Sequence, residues 1–222
     1  MIENIPVAGL ILAGGRARRM GGTDKGLLSL AGQTLVQHVL ARLVPQVDSI
    51  FISANRNVAQ YAKLGYPVRQ DSVAEFPGPL AGILAGMESC NRRWLVVVPC
   101  DAPLLPADLV VRFRRAIART SAQVAVAHDG QRMQSVMAMI DCSLADDLHS
   151  YLAAGERRVE GWFARQLQVQ VDFSDCPNAF FNVNSPADLD ELQLRLATTA
   201  IEASPIGVET KPHASPKNDL NG

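Results

Sequence analysis

The chain has 222 residues, 48% of them hydrophobic and 19% charged, with a formal net charge of −1. That balance supports one large globular domain and excludes a fibrous, collagenous or mostly disordered chain. It gives no basis for general binding to nucleic acid or to an acidic membrane surface, so any basic patch has to be local.

Taken in order, the apolar stretch "IPVAGLILAGG" carries an acidic flank, is short, and runs into glycines and arginines. It reads as a buried first strand, with "VAGLILA" (7–13) at its centre, and not as a signal peptide. The loop "LAGGRARRMGGTDKG" (12–26) follows, with five glycines and the cations Arg16, Arg18, Arg19 and Lys25. "TLVQHVLARLV" (34–44) repeats apolar residues at three- and four-residue spacing and predicts a helix. "SIFISA" (49–54) and "WLVVVP" (94–99) predict strands. Between them "PLAGILAGMESC" (79–90) predicts a helix opened by Pro79.

"PADLVVRFRRAIAR" (106–119) and "PADLDELQLRLA" (186–197) predict helices with Asp in the first turn, where the helix dipole favours an anion. "AQVAVAH" (122–128), "SVMAMI" (135–140), "VQVDF" (169–173) and "FFNV" (180–183) have strand length and strand composition. The region 130–180 is the least regular, and "AGERRVEGWF" within it reads as a lid or a substrate-facing insertion. After Ala197 the pattern stops, so residues 198–222 read as a disordered tail behind one domain over 1–197. Alternating strands and helices predict an α/β fold, a doubly wound sheet built from βαβ crossovers. No apolar run approaches the ~18 residues of a membrane helix. Cys90, Cys100, Cys142 and Cys176 are far apart with no CxxC pair, as in a reducing, cytoplasmic setting.

The opening loop leaves a buried strand at the carboxyl edge of a parallel sheet, where open α/β folds place ligands. Its glycines let backbone N–H groups converge on an anion, and Arg19 and Lys25 add full charges for phosphate oxygens. The spacing matches neither GxxxxGK[ST] nor GxGxxG. The competing reading is a Gly-rich surface turn with solvated arginines; the paired glycines and the lysine beyond them favour phosphate.

Asp101, in "VVVPCDAPLL" (96–105), ends a buried strand among prolines. It reads either as an oxygen ligand for Mg²⁺ or as the cap of the following turn. In "EFPGPLAGI" (75–83), Gly78, Pro79 and Gly82 let a flat group lie close to the backbone, or simply make a turn into a helix. "FFNVNSPADL" (180–189) sets Asn182 and Asn184 on one strand face. Asn184 has the alternative of capping the next helix, whereas Asn182 has none and reads as a site residue. Arg157 and Arg158 read equally as an anion contact and as a solvated pair.

"LILAGGRARRMGGTDKG", "PGPLAGI", "PCDAPLL" and "FNVNSPADL", in that order, resemble the molybdenum cofactor guanylyltransferases over about residues 7–197. "LAGG" and the late "FNVNSPADL" point to that branch of the nucleotidyltransferases and to GTP rather than CTP. The resemblance implies a Rossmann-like nucleotidyltransferase fold, one three-layer domain with a mixed, mainly parallel sheet. It implies that Leu12, Ala13, Gly14 and Gly15 line the nucleotide, and that Arg19, Gly22 and Lys25 surround the triphosphate. Asp71 and the 78–82 loop would lie by the guanosine, with Asp101 on Mg²⁺ and Asn182 and Asn184 toward the metal and pterin. Ser53 stands where some relatives carry Asn, and Asn55 follows closely.

The implied reaction is attack by the terminal phosphate of molybdopterin on the α-phosphorus of GTP, releasing pyrophosphate, with Arg19, Lys25 and Asp101 as the catalytic set. The acceptor phosphate is already ionised, which agrees with the absence of His from the four motifs; His38 and His128 read as a helix and a strand-end residue. Implied partners are GTP, molybdopterin or its molybdenum-bearing form, and other proteins of cofactor assembly or molybdoenzyme chaperones, around a monomer. The competing readings are a cytidylyl- or sugar-1-phosphate nucleotidyltransferase and a GTP-binding regulatory protein.

Overall fold

The computed structural model describes residues 5–13, 24–71 and 78–202. The chain begins with β1 (Val7–Leu12), a small hairpin of β2 (Ser29–Leu30) and β3 (Gln33–Thr34), and α1 (Leu35–Leu43). It continues through β4 (Ser49–Ser53), α2 (Val58–Ala62), β5 (Val68–Arg69), α3 (Pro79–Ser89) and β6 (Trp94–Pro99). The second half holds α4 (Leu109–Thr120), β7 (Val124–His128), β8 (Met133–Asp141), α5 (Ala145–Ala153), α6 (Val159–Phe163), β9 (Gln168–Asp172) and α7 (Pro186–Glu202).

Seven strands form one sheet in the order β5-β4-β1-β6-β8-β7-β9. All pairs are parallel except those of β8, which runs antiparallel to β6 and β7. Side chains alternate along each strand, and this alternation separates two cores. Val7, Ile11, Val96 and Val98 face α1 and α4. Ala8, Leu10, Leu95 and Val97 face α3, α5 and α6. The result is the expected single α/β domain of three layers with a mixed, mainly parallel sheet. Helix α1 shows why the local sequence forms its element. Gln37 Oε1 accepts from the Thr34 backbone N–H at 2.8 Å, closing the first turn, and Leu35, Val36, Val39, Leu40 and Leu43 bury one face.

Four expectations change. The stretch 180–183 is not a strand: Pro177–Phe180 is a 3-10 turn and the chain then crosses the carboxyl edge of the sheet. Phe180 and Val183 spend their apolar surface on two separate cores instead of on a ladder. Helix α4 starts at Leu109 and not at Pro106, because Pro106 O closes a turn with the Leu109 N–H. "AGERRVEGWF" is no lid, since Trp162 and Phe163 are fully buried beneath the sheet and Trp162 Nε1 donates to Asp147 Oδ1 at 2.8 Å. Helix α7 runs to Glu202, past the expected domain limit at 197, and residues 203–222 lie outside the described residues. No helix among the described residues is long and apolar enough to cross a membrane.

Candidate active site

The order of strands reverses around β1: β4 lies on one side of it and β6 on the other, both parallel. Open α/β sheets bind ligands at the carboxyl ends of strands flanking such a point. Pairing extends one residue beyond the strands here. The Ala13 N–H donates to Ser53 O at 2.8 Å, and the Cys100 N–H donates to Leu12 O at 3.0 Å. Leu12, Ala13, Ser53 and Asp101 therefore leave a stiff edge.

Lys25 joins three segments at this edge. Its Nζ donates to Asp101 Oδ2 at 3.1 Å and to Asn184 Oδ1 at 2.6 Å. Asp101 is held in turn, because its carbonyl accepts from the Val183 N–H at 3.0 Å. Asn184 is not a helix cap. Ser185 Oγ accepts from the Asp188 N–H, and Asp188 Oδ2 accepts from the N–H groups of Asn184 and Ser185. That reciprocal box leaves the Asn184 amide oxygen to Lys25, while its Nδ2 donates to Asn182 O at 3.3 Å. Asn182 carries a buried Oδ1 without a hydrogen-bond partner among the described residues, next to the Val183 link to Asp101. Asn182 and Asn184 thus come together with Asp101 through an extended crossing segment, not through a strand face.

Sequence reasoning missed the foundation under Lys25. Asp24 is buried, and Tyr61 Oη donates to its Oδ1 at 2.5 Å, Asn57 Nδ2 to its Oδ2 at 3.0 Å, and the Gly26 N–H to its Oδ1 at 3.2 Å. Burial, with help from neighbouring Cys100 and Asp24, pushes the Tyr61 phenol far above its ordinary pKa, so it remains a donor. The available signal was "TDKG": an acid beside a lysine expected to hold phosphate repels the same anion unless it turns inward.

A second polar group sits at the ends of β4 and β5. Asn55 Nδ2 donates to Asp71 Oδ2 at 2.6 Å, and the Asp71 N–H donates to Asn55 Oδ1 at 2.9 Å. Burial raises the Asp71 pKa, opposed by hydrogen bonds from Asn55 and Ser53. Ser53 itself is buried and spends its hydroxyl on Asp71. Helix α3 begins beside this group at Gly78, whose φ of 121° favours glycine, and at Pro79. Gly82 is buried instead of lying open to a flat ligand. A Cβ there would sit 2.7 Å from Ser53 Oγ and 2.9 Å from Leu12 Cδ2, so its role is to bring α3 close to the sheet.

Gly14, Gly15, Arg16, Arg18, Arg19 and Gly22 lie outside the described residues. Arg157 turns back on its own turn, donating to Leu152 O at 2.7 Å and Glu156 O at 2.6 Å. His38 Nε2 lies 2.8 Å from Leu30 O, and His128 Nδ1 accepts from the Gly130 N–H. Among the described residues no three His, Cys, Asp or Glu side chains form a ready metal cluster. Around Lys25 the side-chain oxygen donors among the described residues include Asp101, Asn182 and Asn184.

The profile of the MobA-like NTP transferase domain matches residues 9–170. A molybdenum cofactor guanylyltransferase of Shewanella sediminis is 45% identical over 194 residues, covering 87% of this chain and 99% of its own length. The chain belongs to the molybdenum cofactor guanylyltransferase family. Members of this guanylyltransferase family are nucleotidyltransferases, and the three-layer fold agrees. The crystal structure of molybdopterin-guanine dinucleotide biosynthesis protein A from Archaeoglobus fulgidus matches with a TM-score of 0.72 at 21% identity, over 86% of this chain and 99% of that one. A 4-diphosphocytidyl-2C-methyl-D-erythritol synthase from Anaerococcus prevotii matches with a TM-score of 0.68 at 12% identity, over 88% of this chain and 98% of that one. One fold carries both names, so the fold alone does not choose a base. The guanylyltransferase assignment rests on sequence.

Proposed function

We propose that the chain transfers GMP from GTP to the terminal phosphate of molybdopterin, forming the guanine dinucleotide and releasing pyrophosphate. A phosphate oxygen of the acceptor bonds to the α-phosphorus of GTP, and the bond from that phosphorus to the oxygen leading to the β-phosphate breaks. The observation that carries this reading is Lys25, held between Asp101 and Asn184 at the switch point.

Lys25 exchanges its two protein partners for triphosphate oxygens and neutralises them, while the buried Asp24 anchor keeps its backbone in place. Arg19, Gly14, Gly15 and Gly22 complete the cradle in this reading. Leu12 and Ala13 border the nucleotide, and Asp71, oriented by Ser53 and Asn55, receives the guanine beside Gly78 and Pro79. A carboxylate accepts well from adjacent ring and amino N–H groups, which supports a guanine there. Both phosphates are ionised, so no base has to remove a proton, and catalysis is alignment plus charge stabilisation.

Mg²⁺ fits the donors present. Asp101 supplies a carboxylate and Asn182 a buried amide oxygen without another partner among the described residues, and hard oxygen donors suit that ion. When bound with the nucleotide it would supply charge neutralisation at the reacting phosphates. Four free cysteines support a cytoplasmic setting. The test is pyrophosphate release by the purified chain with molybdopterin, Mg²⁺ and either GTP or CTP. Turnover with GTP alone of the two supports the assignment. Equal turnover, or none with either, overturns it.

A further inference from the structure

Two thiols meet at the end of the sheet opposite the candidate active site. Cys90 closes the carboxyl end of α3, just before β6, and Cys142 follows β8 directly. The Cys142 N–H donates to Arg93 O at 2.7 Å, and the Arg92 N–H donates to Cys90 Sγ at 3.4 Å, so both residues frame the same turn. The Cys90 S–H also donates to Arg92 O at 3.4 Å, which holds its sulfur on that turn, and each thiol shifts the titration of the other. Both are partly exposed, and both pack against the core beneath α3, α5 and α6. The reacting edge lies at the other end of β6, a six-residue strand, roughly 20 Å away at strand rise. Nothing in the guanylyl-transfer reading uses either thiol.

We propose that Cys90 and Cys142 form a dithiol site that reacts with a low-molecular-weight disulfide and closes to an intramolecular Cys90–Cys142 disulfide. In the first step the Cys90 thiolate attacks one sulfur of the small disulfide and expels the other as a thiolate, leaving a mixed disulfide on Cys90. In the second, Cys142 loses its proton and attacks Cys90 Sγ, expelling the second small thiol. The protein loses two hydrogens, and the small disulfide is reduced to two thiols.

The roles follow from the contact. Cys142 beside it brings the Cys90 thiol down to about 7, against burial and with further help from the Arg92 N–H. The neighbouring Cys90, together with burial, pushes Cys142 up, so it keeps its proton until the mixed disulfide has formed. The other two cysteines lack this arrangement. Cys100 is buried and burial pushes its thiol up. Cys176 is also pushed up, first by burial and then by Asp175. The bond would tie the end of α3 to the end of β8 and restrict the unfolded chain between residues 90 and 142.

The whole chain is incubated with glutathione disulfide near neutral pH, quenched by alkylation and mapped by peptide mass spectrometry. The expected product is one linked Cys90–Cys142 peptide, with Cys100 and Cys176 alkylated and the melting temperature raised. Cys142→Ala is expected to stop at a mixed disulfide, and its Cys90 is expected to alkylate several-fold more slowly near pH 7 than in the unmodified chain. Circular dichroism of that variant confirms that it is folded. A folded chain that gives no linked peptide overturns the proposal. So does a bridge to Cys100 or Cys176, or Cys90 alkylation that is unchanged in Cys142→Ala.

Discussion

Lys25 and Asp101 form a 3.1 Å ion pair across 76 positions of sequence, and the same lysine nitrogen reaches Asn184 at 2.6 Å. The two partners flank the switch point, which is why the proposed function puts the triphosphate there. Replacing Lys25 with Ala or Asp101 with Asn is expected to slow guanylyl transfer on the order of 10²-fold or more, as for loss of one charge-stabilising contact. Both side chains are only about one-fifth exposed, at 21% and 17%, yet stability should shift far less than activity. Steady-state kinetics with urea denaturation of the same samples decides. Transfer at the unmodified rate in both variants would remove Lys25 and Asp101 from the mechanism.

Tyr61 tests the foundation of that lysine. Tyr61→Phe keeps the ring but removes one of the three hydrogen bonds that the buried Asp24 carboxylate takes from described residues. The expected cost is about 1–3 kcal/mol of unfolding free energy, the penalty for an under-satisfied buried acceptor. The rate should also fall, because Lys25 follows Asp24 directly. A variant as stable as the parent would show that Tyr61 does not hold Asp24.

Gly82 tests the approach of α3 to the sheet. Gly82→Ala raises helix propensity by about 1 kcal/mol, while its Cβ crowds Ser53 Oγ and Leu12 Cδ2. Side-chain ends can yield, so the fold is expected to survive. Moving Ser53 disturbs its hydrogen bond to Asp71, and the expected signature is a higher KM for GTP. An unchanged KM would separate Asp71 from nucleotide binding or Ser53 from Asp71.

Asp71 makes a pH prediction with a definite sign. Burial raises its folded pKa above the ordinary value of 3.8, so the folded state holds this proton to higher pH than the unfolded state does. Its contribution to stability therefore declines as pH rises from the unfolded pKa through the raised folded one, and stays flat beyond. Asp71→Asn removes that slope. Urea unfolding of both proteins across acid to neutral pH should show the parent losing ground to the variant through that window. A pH-independent difference counts against the assignment.

Much of this was legible along the chain because it depends on neighbours in sequence. The apolar runs at 7–13, 49–54 and 94–99 became β1, β4 and β6, and the spacing in 34–44 became α1 with its buried face. The order of motifs placed Lys25, Asp101 and Asn184 in one proposed site. The short elements were not legible. Helices α2 and α6 have five residues each, too short to hold without packing, and their buried Tyr61, Trp162 and Phe163 carry no periodic signature.

The sequence by itself determined the α/β class, the family and the residue types gathered for a nucleotide, since strand length, helical period and motif order are local properties. Only the tertiary structure decided which partners those residues take. It turned Asp24 inward onto Tyr61, gave Asn184 to Lys25 once Ser185 and Asp188 had capped α7, and brought Cys90 and Cys142 to one turn. Each of these contacts joins segments far apart in the chain or chooses among competing donors. A side chain's charge and hydrogen-bonding capacity are written in its identity, but burial and the nearest opposing group arise only when the sheet brings its edges together.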